Sequence, residues 1–198
     1  MERIELMRRA DSDIQKCELC RLSKSRTNAV PGSGNVVDVE IVFVGEGPGR
    51  NEDLAGKPFV GSGGRLLDQL MQSAGLKRES VYITNIVKCR PPKNRKPVRD
   101  EVEICTSNYL ERQLDILKPK LICTLGATAL EYFTGETKMG ENHGKLFHAR
   151  KSGIPVLPTY HPASIFRNPP YRKLLENDLR MLPNIIESLG KTSKTISA

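Results

Sequence analysis

The stretch "VEIVFVGEGPGRNED", residues 39–53, joins an unbroken apolar run to a glycine-rich turn followed closely by acids. A run of β-branched and aromatic residues without polar alternation predicts a strand buried on both faces, as parallel strands are. Three more runs share this character: "VYITNIV" (81–87), "KLICTLG" (120–126) and "IPVLPTY" (154–160). Helical patterns separate them. "GGRLLDQLMQSAGL" (63–76) puts Leu66, Leu67, Leu70, Met71 and Ala74 on one face, and "DEVEICTSNYLERQLDILK" (100–118) does so with Val102, Cys105, Tyr109, Leu110, Leu114 and Leu117. Asp100 and Glu103 form the expected N-cap pair of the latter. A third helix is predicted over 171–190, kinked or interrupted at Pro183, and a short amphipathic one over 3–16. Strand and helix alternate, which predicts a three-layer α/β/α fold around a central four-stranded parallel sheet. Residues 1–190 are expected to form one domain, with 191–198 as an unstructured tail.

The chain has 198 residues and a formal net charge of +8, from 31 Lys and Arg against 23 Asp and Glu, which favours an anionic partner such as nucleic acid. "KCRPPKNRKPVR" (88–99) concentrates the excess: Lys88, Arg90, Lys93, Arg95, Lys96 and Arg99, with no acid among them. Its three prolines predict a stiff, extended loop. No apolar run is long enough to cross a membrane, and the charged start "MERIELMRRADSD" is no signal core, so a cytoplasmic protein is expected.

In open α/β sheets ligands bind beyond the carboxyl ends of the strands. That rule gathers four loops: "GEGPGRNED", "TNIVKCRPP", "LGATAL" and "TYHPAS". The first lacks both a full dinucleotide fingerprint and a Gly-Lys-Ser/Thr ending, so a nucleotide phosphate is not its ligand. A plain turn, or close backbone approach to a planar ligand flanked by Glu46 and Glu52, remains. Phe59 precedes a Ser62-Gly63-Gly64 helix start able to hold a phosphate; its ring is either core or a stacking surface. Asn85 is either a cap or a donor–acceptor pair matching the O4 and N3–H edge of a pyrimidine. His161, at the end of the fourth strand, is either a turn residue or a donor to a developing oxyanion.

Cys17 and Cys20 are separated by two residues, Cys89 and Cys105 by fifteen. Four soft ligands suit a tetrahedral zinc or an iron-sulfur cluster, and spacing does not choose between them. Either would staple the N-terminal helix to the basic loop. Cys123 sits inside a strand and is expected in the core.

Together these motifs, from Cys17 through His161 in order, resemble the family 4 uracil-DNA glycosylases: "GEGPG", Phe59 within "PFVGSGG", Asn85 within "TNIVKCRPP", "HPAS", and the four cysteines. The resemblance implies a 4Fe-4S cluster rather than zinc, on Cys17, Cys20, Cys89 and Cys105. It implies a uracil pocket of Gly45, Glu46, Gly47, Phe59, Asn85 and His161, into which the base is flipped from DNA. His161 meets charge on O2, and Glu46 crowds C5 against thymine. Related families carry an Asp or Asn in the first motif that is missing at the matching place, so the water falls to Glu46 or Glu52, with Asn94 as a third contender. DNA phosphates would meet Lys88, Arg90, Lys93, Arg95, Lys96, Arg99, Ser62, Gly63 and Gly64, with Arg167 on the other flank. A monomer acting on uracil-containing DNA is expected; a sliding clamp as further partner is left open. The rivals are a metal-stapled nucleic-acid-binding module without activity and a small redox protein.

Overall fold

The structure, a computed structural model, describes residues 1–195. In chain order its elements are α1 (Glu2–Gln15), β1 (Ser33–Gly34), β2 (Ile41–Gly45), α2 (Arg50–Ala55), α3 (Ser62–Ser73), β3 (Tyr82–Asn85), α4 (Arg99–Cys105), α5 (Glu111–Leu117), β4 (Leu121–Leu125), α6 (Ala127–Thr134), α7 (Met139–Asn142), β5 (Phe147–His148), β6 (Pro155–Thr159) and α8 (Tyr171–Thr195). The sheet runs β1-β3-β2-β4-β6-β5. Its four central strands are parallel and coincide with the four apolar runs. Two antiparallel edge strands, β1 and β5, were not expected; at two residues each they are too short to carry an apolar pattern.

Side chains alternate across the sheet, so each strand feeds two cores. Ile41 and Phe43 face the layer built by Leu67, Leu70 and Met71 of α3 and Leu175, Leu179 and Leu182 of α8. Val42 and Val44 face the other, with Met7, Ala10 and Ile14 of α1 and Leu110, Leu114 and Leu117. Cys123 is fully buried in the α3/α8 core, away from the other cysteines, as a core thiol should be.

The helix expected over 100–118 is two helices joined by a π turn, Thr106–Leu110. Thr106, Ser107 and Asn108 bond back to the carbonyls of Val102, Glu103 and Ile104 at 2.8, 2.6 and 2.8 Å, and such bonds compete with the regular ladder. The turn begins one residue after Cys105. Its N-terminus also differs from expectation: Val98 is the N-cap, and Glu101, not Glu103, accepts its backbone N–H at 2.9 Å. α8 runs through Pro183 and on to Thr195, into the stretch expected as a tail; residues 196–198 lie outside the described residues. Lys191 reaches Glu187 one turn back, across Gly190, a pair at helical spacing. Among the described residues, no helix is long and apolar enough to cross a membrane.

Candidate active site

The four loops meet, as topology requires, around a cavity of about 580 Å³. Glu46 to Glu52 come from the turn after β2 and the start of α2, Asn85 from β3, Leu125 to Ala127 from the end of β4 and the start of α6, and His161, Ala163, Ser164 and Arg167 from the chain after β6; Phe59 and Gly61 to Gly64 close the side. Gly45 stands where Asn85 and Phe59 converge: a Cβ there would lie 2.5 Å from Asn85 Oδ1 and 2.8 Å from the Phe59 ring. Only glycine lets both side chains reach the same point.

Asn85 is 2% exposed, and its side-chain amide has no hydrogen-bond partner among the described residues. Neither amide atom is sealed in the core; both are open to the cavity. Its donor and acceptor are thus available to a ligand.

Phe59 adopts φ +53, left-handed for a non-glycine residue, a conformation that costs on the order of 1 kcal/mol. Its surroundings hold it there. The Arg78 guanidinium donates to the carbonyls of Pro58 and Phe59 at 2.8 and 3.4 Å and is itself held by Asp68 at 2.6 Å. On the following residues, Glu52 Oε1 accepts the N–H groups of Val60 and Gly61 at 3.1 and 2.8 Å. Gly64 is required because a Cβ there would collide with the Phe59 carbonyl. So placed, the Phe59 ring lies 5.5 Å from the His161 ring at 30°.

His161 opens one edge on the cavity while the protein crowds the rest. Burial pulls its pKa down to about 4, with the Glu52 carboxylate acting weakly the other way, so the ring is neutral near pH 7. Its Nδ1 accepts the Ala163 N–H at 3.1 Å, which puts the ring hydrogen on Nε2. Two residues earlier, Thr159 donates to the buried Asp178 of α8 at 2.6 Å, and Asp178 also pairs with His143 at 3.0 Å. Desolvation raises the Asp178 pKa.

Of the residues expected to handle water, the structure separates three. Glu46 lines the cavity and its Oε2 accepts the Thr128 hydroxyl, leaving Oε1 free of partners among the described residues. Glu52 lines it too, but its Oε1 is committed to the backbone of the Phe59 turn. Asn94 accepts from Arg90 at 2.7 Å.

The basic loop departs most from expectation. It is not simply extended: Lys93 and Asn94 sit at φ +54 and +57 within a short turn. Lys88 is inside the protein, 1% exposed, with its pKa drawn down to about 8 by burial; no phosphate can reach it. Arg95 lines the cavity but forms a bidentate pair with the buried Glu101 at 2.8 and 2.6 Å, which holds that carboxyl below the ordinary range. Lys96 pairs with Glu131 at 3.0 Å and Arg99 with Glu103 at 2.7 Å. Lys93, Arg50 and Arg167 are exposed and without side-chain partners among the described residues, and the last two line the cavity. Arg50 and Thr128 escaped sequence reasoning. The "GPGR" turn was the available signal for the first; nothing local marks the second.

Cys17, Cys20, Cys89 and Cys105 line a separate small cavity with Ile14, Leu22 and Tyr109, and none is in a disulfide. Backbone and side-chain N–H groups already point at the sulfurs: Arg26 to Cys89 at 3.0 Å, Lys88 N to Cys105 at 3.2 Å, Leu19 N to Cys17 at 3.5 Å. Among the described residues, no group of three or more His, Cys, Asp or Glu is spaced to hold a metal ion.

The class so defined is a three-layer α/β protein whose parallel strand ends open onto one large cavity, the usual ligand position in such sheets. A family model described as "Uracil DNA glycosylase superfamily" matches residues 31–189. The chain is 47% identical over 184 residues to the type-4 uracil-DNA glycosylase of Saccharolobus solfataricus, covering 89% of this chain and 84% of that one. Identity to the type-4 enzyme of Archaeoglobus fulgidus is 44%, covering 93% of this chain and 94% of that one, and to that of Thermotoga maritima 42%, covering 98% and 96%. The chain belongs to the uracil DNA glycosylase superfamily and, within it, to the type-4 family.

Proposed function

We propose that the protein excises uracil from DNA, leaving an abasic site, as the first step in repairing deaminated cytosine. The observation that carries this reading is the buried, partnerless Asn85 amide facing a neutral His161 across one cavity. A flipped uracil satisfies the amide with O4 and N3–H; cytosine presents a donor and a bare acceptor in reverse and leaves it unpaired, a discrimination of several kcal/mol in such sites. Phe59 supplies a face for the ring.

In the reaction the C1′–N1 bond breaks and its electron pair departs with the base, whose charge gathers on O2. The Nε2–H of His161 donates to that oxygen, preorganised by the Ala163 N–H on the far side of the ring. Water forms the new bond to C1′, and the proton it loses passes to the departing uracil anion. Glu46, the carboxylate with a free oxygen, holds that water, and Thr128 fixes its plane. Glu52 positions Phe59 instead.

The four thiols suit an iron-sulfur cluster. They share one apolar cavity and already carry N–H···S contacts of the kind cluster thiolates accept. Cys17, Cys20, Cys89 and Cys105 would hold a 4Fe-4S cluster, which when bound clamps the N-terminal helix to the loop after β3. Free thiols suit the reducing cytoplasm. The cavity is complete in one chain, which supports a monomer.

Incubation with an oligonucleotide carrying one uracil, followed by alkali, tests the reading. Scission at the uracil is expected; an intact strand would end it.

A further inference from the structure

Lys88 was expected to meet phosphate and instead is among the most deeply buried side chains in the molecule. Placing an ammonium inside a protein is costly unless its hydrogens find acceptors. Its Nζ donates to Thr84 Oγ1 at 2.6 Å and to the Asn85 carbonyl at 2.9 Å; the Cys105 sulfur and the half-buried Asp11 carboxylate favour its charge from nearby, without a direct ion pair among the described residues. Thr84 Oγ1 in turn donates to the Pro31 carbonyl at 2.6 Å, so the anchor is itself tied down. The backbone N–H of Lys88 donates to Cys105 Sγ at 3.2 Å, and the next residue is Cys89. Ile86 and Val87, between Asn85 and Lys88, hold the carbonyls of Gly45 and Glu46 through their N–H groups at 2.8 and 3.1 Å.

The geometry points to Lys88 as a positioning residue that ties the base-reading Asn85 to the cysteine corner. The main chain of Lys88 rests on one thiol and precedes another, while its side chain doubles back to fix the peptide plane from which the Asn85 amide projects. Methionine would fill the same space without desolvating a charge, but would leave Thr84 Oγ1 and the Asn85 carbonyl without their donor. The consequence is directional: disturbing the thiols shifts the amide that sorts uracil from cytosine, although neither thiol touches the base. This inference rests on the reading of Asn85 as the uracil-contacting residue and of the cysteines as cluster ligands.

The test compares Lys88→Met, Lys88→Gln, Asn85→Ala and the Lys88→Met/Asn85→Ala double variant, each as the intact cluster-loaded protein. Iron per chain, visible absorbance, affinity for uracil-free duplex and single-turnover uracil release are measured. Lys88→Met should keep iron, absorbance and duplex affinity while release slows about 10–100-fold. Lys88→Gln, which retains a donor on a shorter chain, should recover part of that loss. The double variant should be no slower than Asn85→Ala alone, because one residue acts through the other. Parental release by an iron-loaded Lys88→Met protein, or losses that multiply in the double variant, overturns the inference. Loss of the cluster or of the fold in both Lys88 variants also overturns it, since Lys88 would then support the fold and not Asn85. Parental release by Asn85→Ala alone is a different result, visible without any Lys88 variant, and sinks the base-reading assignment together with this one.

Discussion

The two walls of the cavity are held in place by different means. On one side Asn85 ends a fully buried strand, four residues before Cys89, and is braced through Lys88 to the cysteine corner. On the other, Phe59 and His161 sit on loops and are pinned by single clamps: Arg78 and Glu52 on the backbone around Phe59, the Ala163 N–H on the imidazole, and Asp178 beneath the strand end before it. The first wall is part of a core and, its Lys88 brace apart, fails only with its surroundings. The second is assembled from local contacts, each of which can be removed by itself. A site that must read a rigid edge and also meet charge appearing during reaction needs both kinds of wall.

The largest effect should come from the second wall. His161→Ala removes the donor to O2, and single-turnover release should fall about 10²–10³-fold with affinity for uracil-free duplex unchanged; undiminished release would take His161 out of the reaction. Stripping the iron with an oxidant and chelator should attack the first wall instead. Release should drop with the visible absorbance, while the His161 ring signals in an NMR spectrum stay where they were. Movement of those signals would mean the walls are not independently supported.

Arg78→Met should cost less, about tenfold in release, by letting Phe59 leave its left-handed conformation, and the loss should fall mainly on release at saturating enzyme rather than on DNA affinity. Equal rates would show that Glu52 alone holds the turn. The His161 pKa gives a pH prediction. Its folded value of about 4 lies below the ordinary imidazole value of about 6.5, so the unfolded chain binds more protons between those limits. Stability should therefore fall as pH drops through that window, and His161→Gln should lose that part of the slope; an unchanged slope in urea titrations would place the titration elsewhere.

The smallest effects concern charge. Arg50→Ala or Arg167→Ala should each lower the salt dependence of DNA affinity by about one counterion, whereas Arg99→Ala, whose partner is Glu103, should leave it nearly unchanged. The reverse order would restore the basic loop as the main phosphate contact.

These contrasts also mark what the sequence could reveal. Unbroken apolar runs reported the four parallel strands because burial on both faces leaves no alternation to misread, and strand order then brought Glu46, Asn85, Phe59 and His161 to one cavity. The basic run reported charge but not availability. Lys96 meets Glu131 from 35 residues away, Arg95 turns onto the buried Glu101, and Lys88 points inward, and none of these pairings has a local signature. The role of Glu52 was hidden in the same way: a carboxylate beside a glycine-rich turn looks available until the turn folds back to offer its N–H groups. The π turn after Cys105 also left no trace in the apolar periodicity, because the side chains on either side of it keep facing the same core.

Free uracil soaked into crystals of the protein tests the central claim most directly. The account predicts the base between Phe59 and the Gly45–Gly47 backbone, its O4 and N3 on the Asn85 amide and its O2 within hydrogen-bond reach of His161 Nε2. Uracil bound with its O2 edge away from His161, or found only outside this cavity, would contradict it.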